Sequence, residues 1–411
     1  MRLYTLLALS IILFALLSDS VSAQSHYALG TSKTGIYLLQ SNGSSTEYIK
    51  LYTDTARDFT GIAVYGEYAF VADTSKNKLL IFKTSDIGGS APKIEKTKEI
   101  DLKNQNDSLT VDRPQNVVVT SNGTVFVTGS RYQDSSNNYY YTYSMISNPT
   151  ESWHTQKVSN LPNAPITDID IFSNIDGDNA IIVHQQIGAV GVPSYRAHVT
   201  SISPYGAPSV TTALGSGNDF PVGISVNNKF GESGYAYIAS RVSSINESGL
   251  AIVDCASMTQ VGNISYTLDM TPQSLVSFNY GSQSFIGMVT NKSTDLGSTQ
   301  EIWRILLDSD GLPTSNIQSW TLNTSDHSTQ HKIIASDDGS IVWVSNPTAG
   351  TVIALNTNNW AQIGSSIAIG DSLFRLANIE ANFVIPEPST FAGLVCFGLS
   401  TIAFAGRKLK K

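Results

Sequence analysis

One pattern recurs through the middle of this chain at a spacing near fifty residues. It begins in "GIAVYGEYAFVADTSKNKLLIFKTSD" at Gly61 and returns in "PQNVVVTSNGTVFVTGS" at Pro114. "ITDIDIFSNIDGDNAIIVHQQ" follows from Ile166, "PVGISVNNKFGESGYAYIAS" from Pro221 and "PQSLVSFNYGSQSFIGMVTNKS" from Pro272. The last copy is "HKIIASDDGSIVWVSNPTAGTVIALNTNN" from His331. Successive starts are 53, 52, 55, 51 and 59 residues apart. Each copy reads as a short strand, a polar Gly or Asn turn and a second strand rich in Val, Ile, Tyr or Phe. Several continue into a third strand.

A fixed period that holds about four strands and no helical pattern predicts an all-β chain folded as a β-propeller. A two-sheet sandwich also has many short strands, but it does not require a long constant period. The ends predict how the ring closes. "HYALGTSKTGIYLLQSNGSSTEYIKLY" from His26 supplies three outer strands without an inner one, and "SLFRLANIEANFVI" from Ser372 supplies the missing inner strand. Six copies plus this composite make seven blades, with six and eight as the alternatives. The strand text resembles YVTN and NHL propeller repeats, most closely in "VWVSNPTAGTVIALNT" and "YAFVADTSKNKLLIF". That resemblance implies the fold and leaves function open, because such propellers host binding modules and enzymes alike.

Both termini differ from the middle. Residues 1–23 hold Arg2, an apolar run from Leu3 to Leu17, and the small-x-small triplet Val21-Ser22-Ala23. This order predicts a signal peptide cut between Ala23 and Gln24. Residues 385–411 hold Pro386-Glu387-Pro388-Ser389-Thr390, an apolar run from Phe391 to Gly406, and the bases Arg407, Lys408, Lys410 and Lys411. Sixteen helical residues span roughly 24 Å, against about 30 Å of bilayer core, so this is a short transmembrane helix. The basic end would stay in the cytoplasm. Motif, helix and basic end together resemble a PEP-CTERM sorting signal. The resemblance implies a bacterial protein that uses Sec-type export machinery, is held briefly in the inner membrane, and is then cut by an exosortase-like membrane protease. An ordinary single-span anchor is the competing reading. The domain reading is therefore a signal peptide at 1–23, a propeller at 24–384 and a sorting signal at 385–411.

Removing both ends leaves an acidic domain. The signal holds one base and one acid, Arg2 and Asp19, and residues 389–411 hold four bases and no acid. Of 25 basic and 33 acidic residues, 20 and 32 remain, a net of −12. This argues against nucleic acid and anionic membrane surfaces as partners. Cys255 and Cys396 are the only cysteines. The mature domain has one, forms no internal disulfide, and must rely on its core. Cys255 follows a strand and reads as a small buried residue.

In a propeller, residues just ahead of the inner strands gather at the mouth of the central channel. Asp58, Asp112, Arg113, Asp168, Asp219 and His331 occupy those places and make a candidate ligand site. Carboxylate oxygens there would suit Ca²⁺, although no cofactor is required by any motif. The competing reading is that each Asp caps its own turn. Asp176 and Asp178 in "NIDGDNA" resemble part of an Asp-rich calcium loop, and an Asp-Gly hairpin turn accounts for them equally well. Asp337-Asp338-Gly339 reads as a turn. There is no HExxH and no GxSxG elbow. The Tyr-rich "NNYYYTY", residues 137–143, reads equally as a sugar-stacking strip and as packing between blades. Asn-X-Ser/Thr acceptors at Asn42, Asn122 and Asn263, among others, leave glycosylation open.

The expectation is an exported cell-surface or extracellular-matrix propeller that binds an extracellular protein or glycan without catalysis, with no catalytic residue assigned. One alternative is a lactonase-like, metal-assisted hydrolase outside the cytoplasm. A second is a purely structural exopolymer-associated protein.

Overall fold

The computed structural model describes residues 25–379, except 103–110, 134–138, 153–154, 163–164, 175–176, 187–195, 204–207, 216–217, 242–247, 267–269, 295–296, 323–330, 348 and 371–372. The segment read as a signal peptide with Ala23 and Gln24, the segment read as a sorting motif at 386–390, and Arg407 and Lys408 all lie outside the described residues. So does Asp176.

Seven antiparallel sheets form a seven-bladed β-propeller, and strands are the only regular elements among the described residues. Blades 2 to 7 follow one another along the chain. Their inner strands are Phe59–Tyr65, Pro114–Val119, Ile166–Asn174, Phe220–Asn227, Met270–Tyr280 and Lys332–Ala335. Blade 1 joins the two ends. Its inner strand is Leu373–Ile379, which pairs antiparallel with His26–Ser32; Gly35–Ser41 and Thr46–Thr53 complete the sheet. The expected composite blade and the count of seven are both present. Blade 7 differs at its rim, where two short pieces, Ala361–Gln362 and Ile367–Ala368, share the edge of Thr351–Asn356.

The residue pattern follows from stacking blades face to face. A middle strand is covered on both faces, so it reads as a continuous apolar run rather than an alternating one. Ile341–Asn346 is buried at every position, and Tyr68–Asp73 at all but its first. An outer strand has one wet face, and Thr259–Tyr266 alternates exposed and half-buried residues along its length. Among the described residues, one apolar cluster fills the space between each neighbouring pair of blades. Blades 1 and 2 pack Leu38, Phe59, Val71, Phe82 and Ile379 together. Blades 7 and 1 pack Trp343, Ala354, Tyr37 and Leu376. Turn chemistry sets some of the spacing. Gly339 has φ of +67°, and a Cβ there would fall 1.8 Å from the Asn279 carbonyl oxygen of blade 6. Only glycine lets this turn lie against the neighbouring blade.

Candidate functional site: the central channel

The inner strands share a local irregularity that decides what faces the channel. In blades 2 to 6 the pairing with the second strand slips near the start of the inner strand. The slips fall between Phe59 and Ile62, Pro114 and Asn116, Ile166 and Asp168, Pro221 and Gly223, and Pro272 and Ser274. Blade 1 slips at Thr31/Ser32, just ahead of Arg375. Proline starts three of these slips, where a strand can spare an N–H. A bulge bends its strand and re-aims the next side chain. The positions set in this way are Gly61, Asn116, Asp168, Gly223, Ser274 and Arg375, and Lys332 starts the inner strand of blade 7.

These strands enclose a cavity of about 230 Å³. Its polar lining is Asn116, Asp168, Asp170, Ser225, Ser274, Lys332 and Arg375, set among Ile62, Val118, Ile224, Val276 and Leu376. Lys332 Nζ lies 3.7 Å from Asp168 Oδ2, so blade 7 meets blade 4 across the channel. Both side chains are 17% exposed. The Arg375 guanidinium donates to Asn116 Oδ1 across the gap left by blade 2. Blade 2 contributes Gly61 to the lining there, and a Cβ at that position would sit 2.5 Å from the Gln115 carbonyl oxygen. Asn116 is itself fixed: its Nδ2 donates to Thr128 Oγ1 at 3.0 Å and to the Thr167 carbonyl at 3.3 Å. Two cations and two carboxyl groups thus face one another in a walled space.

Asp170 follows Asp168 by two residues and shares its face of the strand. Its Oδ2 accepts from Val226 N at 2.7 Å and its Oδ1 from Ile171 N at 2.8 Å. Burial nevertheless pushes its carboxyl up to about 7, against those two hydrogen bonds and with a further push from Asp168. Burial also raises Asp168, opposed by the charge of Arg375. Burial lowers Arg375, with Asp168 acting in the other direction.

A stability consequence follows from Asp170. A carboxyl whose native pKa exceeds its unfolded value keeps its proton in the native state while the unfolded chain loses it, so ionisation opposes folding. The favourable state is fully present below about pH 4 and is lost as pH rises toward 7. The stability of wild type minus that of Asp170→Asn is expected to fall by about 2–4 kcal/mol between pH 4 and 8. Urea melts of both proteins at several pH values check this, and a difference that stays flat with pH would refute it.

Of the six residues expected at the channel mouth, Asp168 lines the cavity. The other five lie in the connections ahead of the inner strands. Asp58 N donates to Asp73 Oδ1 at 3.3 Å, beside an ion-pair network in which Arg57 meets Asp73 at 2.8 Å and Glu99 at 2.6 Å. Asp112 Oδ1 accepts from Asn77 Nδ2 at 3.3 Å, and Arg113, at φ of +46°, donates its N–H to Asn77 Oδ1 at 3.0 Å. Asp219 N donates to the Arg241 carbonyl at 3.1 Å. His331 is fully buried with Nδ1 2.9 Å from the Ser345 carbonyl oxygen. Among the described residues, no group of three His, Cys, Asp or Glu side chains converges on one point. Asp178 accepts from Ser173 Oγ at 2.6 Å and from Ser121 N in blade 3. Burial would raise its carboxyl, but these hydrogen bonds outweigh burial and lower it. Asp338 accepts from Ser336 and Ser340 within the Asp337–Gly339 turn, as that reading expected. Cys255 is buried, and burial pushes its thiol up to about 12. Of the Tyr-rich strip, Tyr141 and Tyr143 pack between blades 3 and 4, and Asn137 and Asn138 lie outside the described residues.

Reading the sequence for residues ahead of the strands missed Asn116, Asp170, Lys332 and Arg375. The signal for Asp170 was present, since "TDID" places two acids on one face. The signal for the others was a polar residue inside an otherwise apolar inner strand: "PQNVVV", "HKIIA" and "LFRLANI".

No protein-family model matches the chain, and no curated protein matches it. Solved structures do match. A protein from Lactobacillus plantarum aligns at 13% identity and a TM-score of 0.55, over 87% of this chain and 100% of that one. A 6-phosphogluconolactonase candidate from Bacteroides uniformis aligns at 11% identity and a TM-score of 0.56, over 86% of this chain and 99% of that one. The Kuenenia stuttgartiensis hydrazine synthase aligns at 12% identity and a TM-score of 0.52, over 77% of this chain and 85% of that chain. Likeness at such identity establishes the shared propeller architecture and nothing further.

Proposed function

We propose that this chain is an exported propeller that acts at the cell surface or in the extracellular matrix as a binding module, after an exosortase-like protease removes its tail. The address rests on the sequence of the two ends. The binding reading rests on one observation: the channel cavity is lined by charges and an amide fixed against one another from different blades. Groups held in this way are preorganised for recognition. At about 230 Å³ the cavity is smaller than the roughly 300–1,000 Å³ that buries a drug-sized molecule. It therefore suits a small polar ligand, or one terminal group of a glycan or protein that docks over the mouth. A ligand bearing both charges or several hydroxyls would replace the Lys332–Asp168 and Arg375–Asn116 contacts with its own.

A second reading has its own observation. Asp170 lines the cavity, and burial pushes its carboxyl up to about 7, where its carboxylate form could act as a general base. The Bacteroides uniformis structure is described as a lactonase, which names a substrate class to test. In that reading the Asp170 carboxylate takes a proton from the water that adds to a lactone carbonyl, and the proton returns to the ring oxygen as the acyl C–O bond breaks.

One experiment separates the two. The purified full chain and its Asp170→Asn and Lys332→Met variants are given a panel of lactones and, separately, a panel of small polar ligands followed by thermal shift. The binding reading expects no turnover, and a ligand-induced shift that Lys332→Met abolishes. Lactone turnover lost in Asp170→Asn would replace it with the hydrolase, and neither activity would leave the structural exopolymer role. A calcium titration belongs with the set. A melting shift that Asp168→Ala or Asp219→Ala removes would put an ion at the channel mouth.

The address has its own expected outcome. Replacing Glu387 and Pro388 with Ala should trap an uncut form in the membrane fraction. Wild-type processing and release of that double variant, read on an immunoblot, would refute the sorting proposal.

A further inference from the structure

A second cavity, of about 240 Å³, lies between blades 6 and 7, away from the channel. Its centre is Arg304, on the third strand of blade 6, Gly297–Leu307. The guanidinium is held between two rings. Its Cζ lies 5.0 Å from the centroid of Phe285 and 5.5 Å from that of Trp360, which reaches over from blade 7. Trp360 is fixed in turn, because its Nε1 donates to the Ile302 carbonyl of blade 6 at 3.0 Å.

The charge balance here differs from the rest of the molecule. The chain has 33 acidic residues against 25 basic ones, yet none of the eight residues lining this cavity is acidic. Arg304 is only 9% exposed and makes no ion pair with a described carboxylate. Among the described residues its side chain donates one hydrogen bond, to Gln318 Oε1 on the adjoining strand. A guanidinium carries five N–H donors in a planar fork, so most of its capacity is unused. Burial lowers the Arg304 pKa, the direction expected of a cation with no counter-charge. The two aromatic faces offset part of the cost of burying it. A carboxylate entering the cavity would meet the fork with matched geometry.

The rest of the lining says what carries that carboxylate. Gln283, Asn316, Gln318 and Asn358 are neutral amides, each able to donate and to accept. Such a set suits hydroxyl groups. A phosphate dianion would call for a second cation, and the cavity has one. We infer that the cleft between blades 6 and 7 binds an acidic sugar, with Arg304 taking its carboxylate and the surrounding amides its hydroxyls. The cleft shares no residue with the channel lining, so it stands or falls independently of the channel reading.

The test is calorimetric titration of the purified full chain with D-glucuronate, D-glucose and sodium sulfate. Glucuronate is expected to bind at one site, with glucose and sulfate at least about tenfold weaker. Arg304→Gln should weaken glucuronate by about tenfold or more. Because Arg304 is packed between two rings, a second variant covers the case in which that protein does not fold. Asn358 is exposed at the rim, and Asn358→Asp places a carboxylate beside the guanidinium, which should abolish binding while leaving the melting temperature unchanged or higher. No glucuronate binding, or binding retained in Asn358→Asp, would overturn the site. Sulfate binding as tightly as glucuronate would overturn the sugar assignment.

Discussion

A chain that ends at residue 370 is expected not to close its ring, whereas one that ends at residue 384 should fold its propeller as the full chain does. Among the described residues, Leu373–Ile379 supplies the inner strand of blade 1. Without it His26–Ser32 becomes a bare edge facing the channel, with its N–H and C=O groups unpaired along one side. Two apolar clusters also lose members. Leu376 leaves the contact between blades 7 and 1, and Ala377 and Ile379 leave that between blades 1 and 2. Burying a side chain such as Leu or Ile is worth about 1.5–3 kcal/mol, so the apolar loss alone is several kcal/mol. That is a large share of the 5–15 kcal/mol that holds a typical domain together. The expected readout is loss of the cooperative urea transition, with a larger hydrodynamic radius or oligomers formed through the open edge. A shortened chain that melts within a few degrees of the longer one would refute the closure argument.

The second large effect is expected in the channel. Lys332→Met and Asp168→Asn each break a pair that spans it, and the two losses differ in kind. Removing Lys332 leaves the Asp168 carboxylate with Arg375 as its nearest cation. Removing the Asp168 charge leaves Lys332 and Arg375, two cations, facing each other in a walled space. Stripping one partner from a buried pair is strongly destabilising because it leaves an uncompensated charge. Both side chains keep some exposure to the channel, so we expect about 2 kcal/mol for each single change. The double variant should lose less than the two singles combined, by about 1–2 kcal/mol. Urea midpoints for the four proteins complete the cycle. Additive losses would mean that the contact carries no energy of its own.

These two expectations also show what was legible beforehand. The period near fifty residues specified the propeller, because a blade is one four-stranded unit and each unit begins again with the same strand-turn-strand text. The velcro closure was legible too. Three strands at His26 lacked an inner partner, and one apolar segment after Ser372 lacked a sheet. Asp168 was legible as a channel residue, and the two-residue strand period in "TDID" puts Asp170 on the same face.

Other features depended on the closed ring. Nothing local in "LFRLANI" says that Arg375 meets Asn116, 259 residues earlier in the chain. That contact exists because blade 1 is assembled from both ends, and because Gly61 leaves blade 2 without a side chain between them. Nothing in "HKIIA" says that Lys332 faces Asp168 three blades away. The same holds for Arg304, which meets Trp360 only because neighbouring blades stack. Periodicity within the chain determines strands and their repetition, since it reflects which faces must be buried. The pairing of charges across the channel and between blades is decided by the ring, since a side chain's partner there lies on a different repeat.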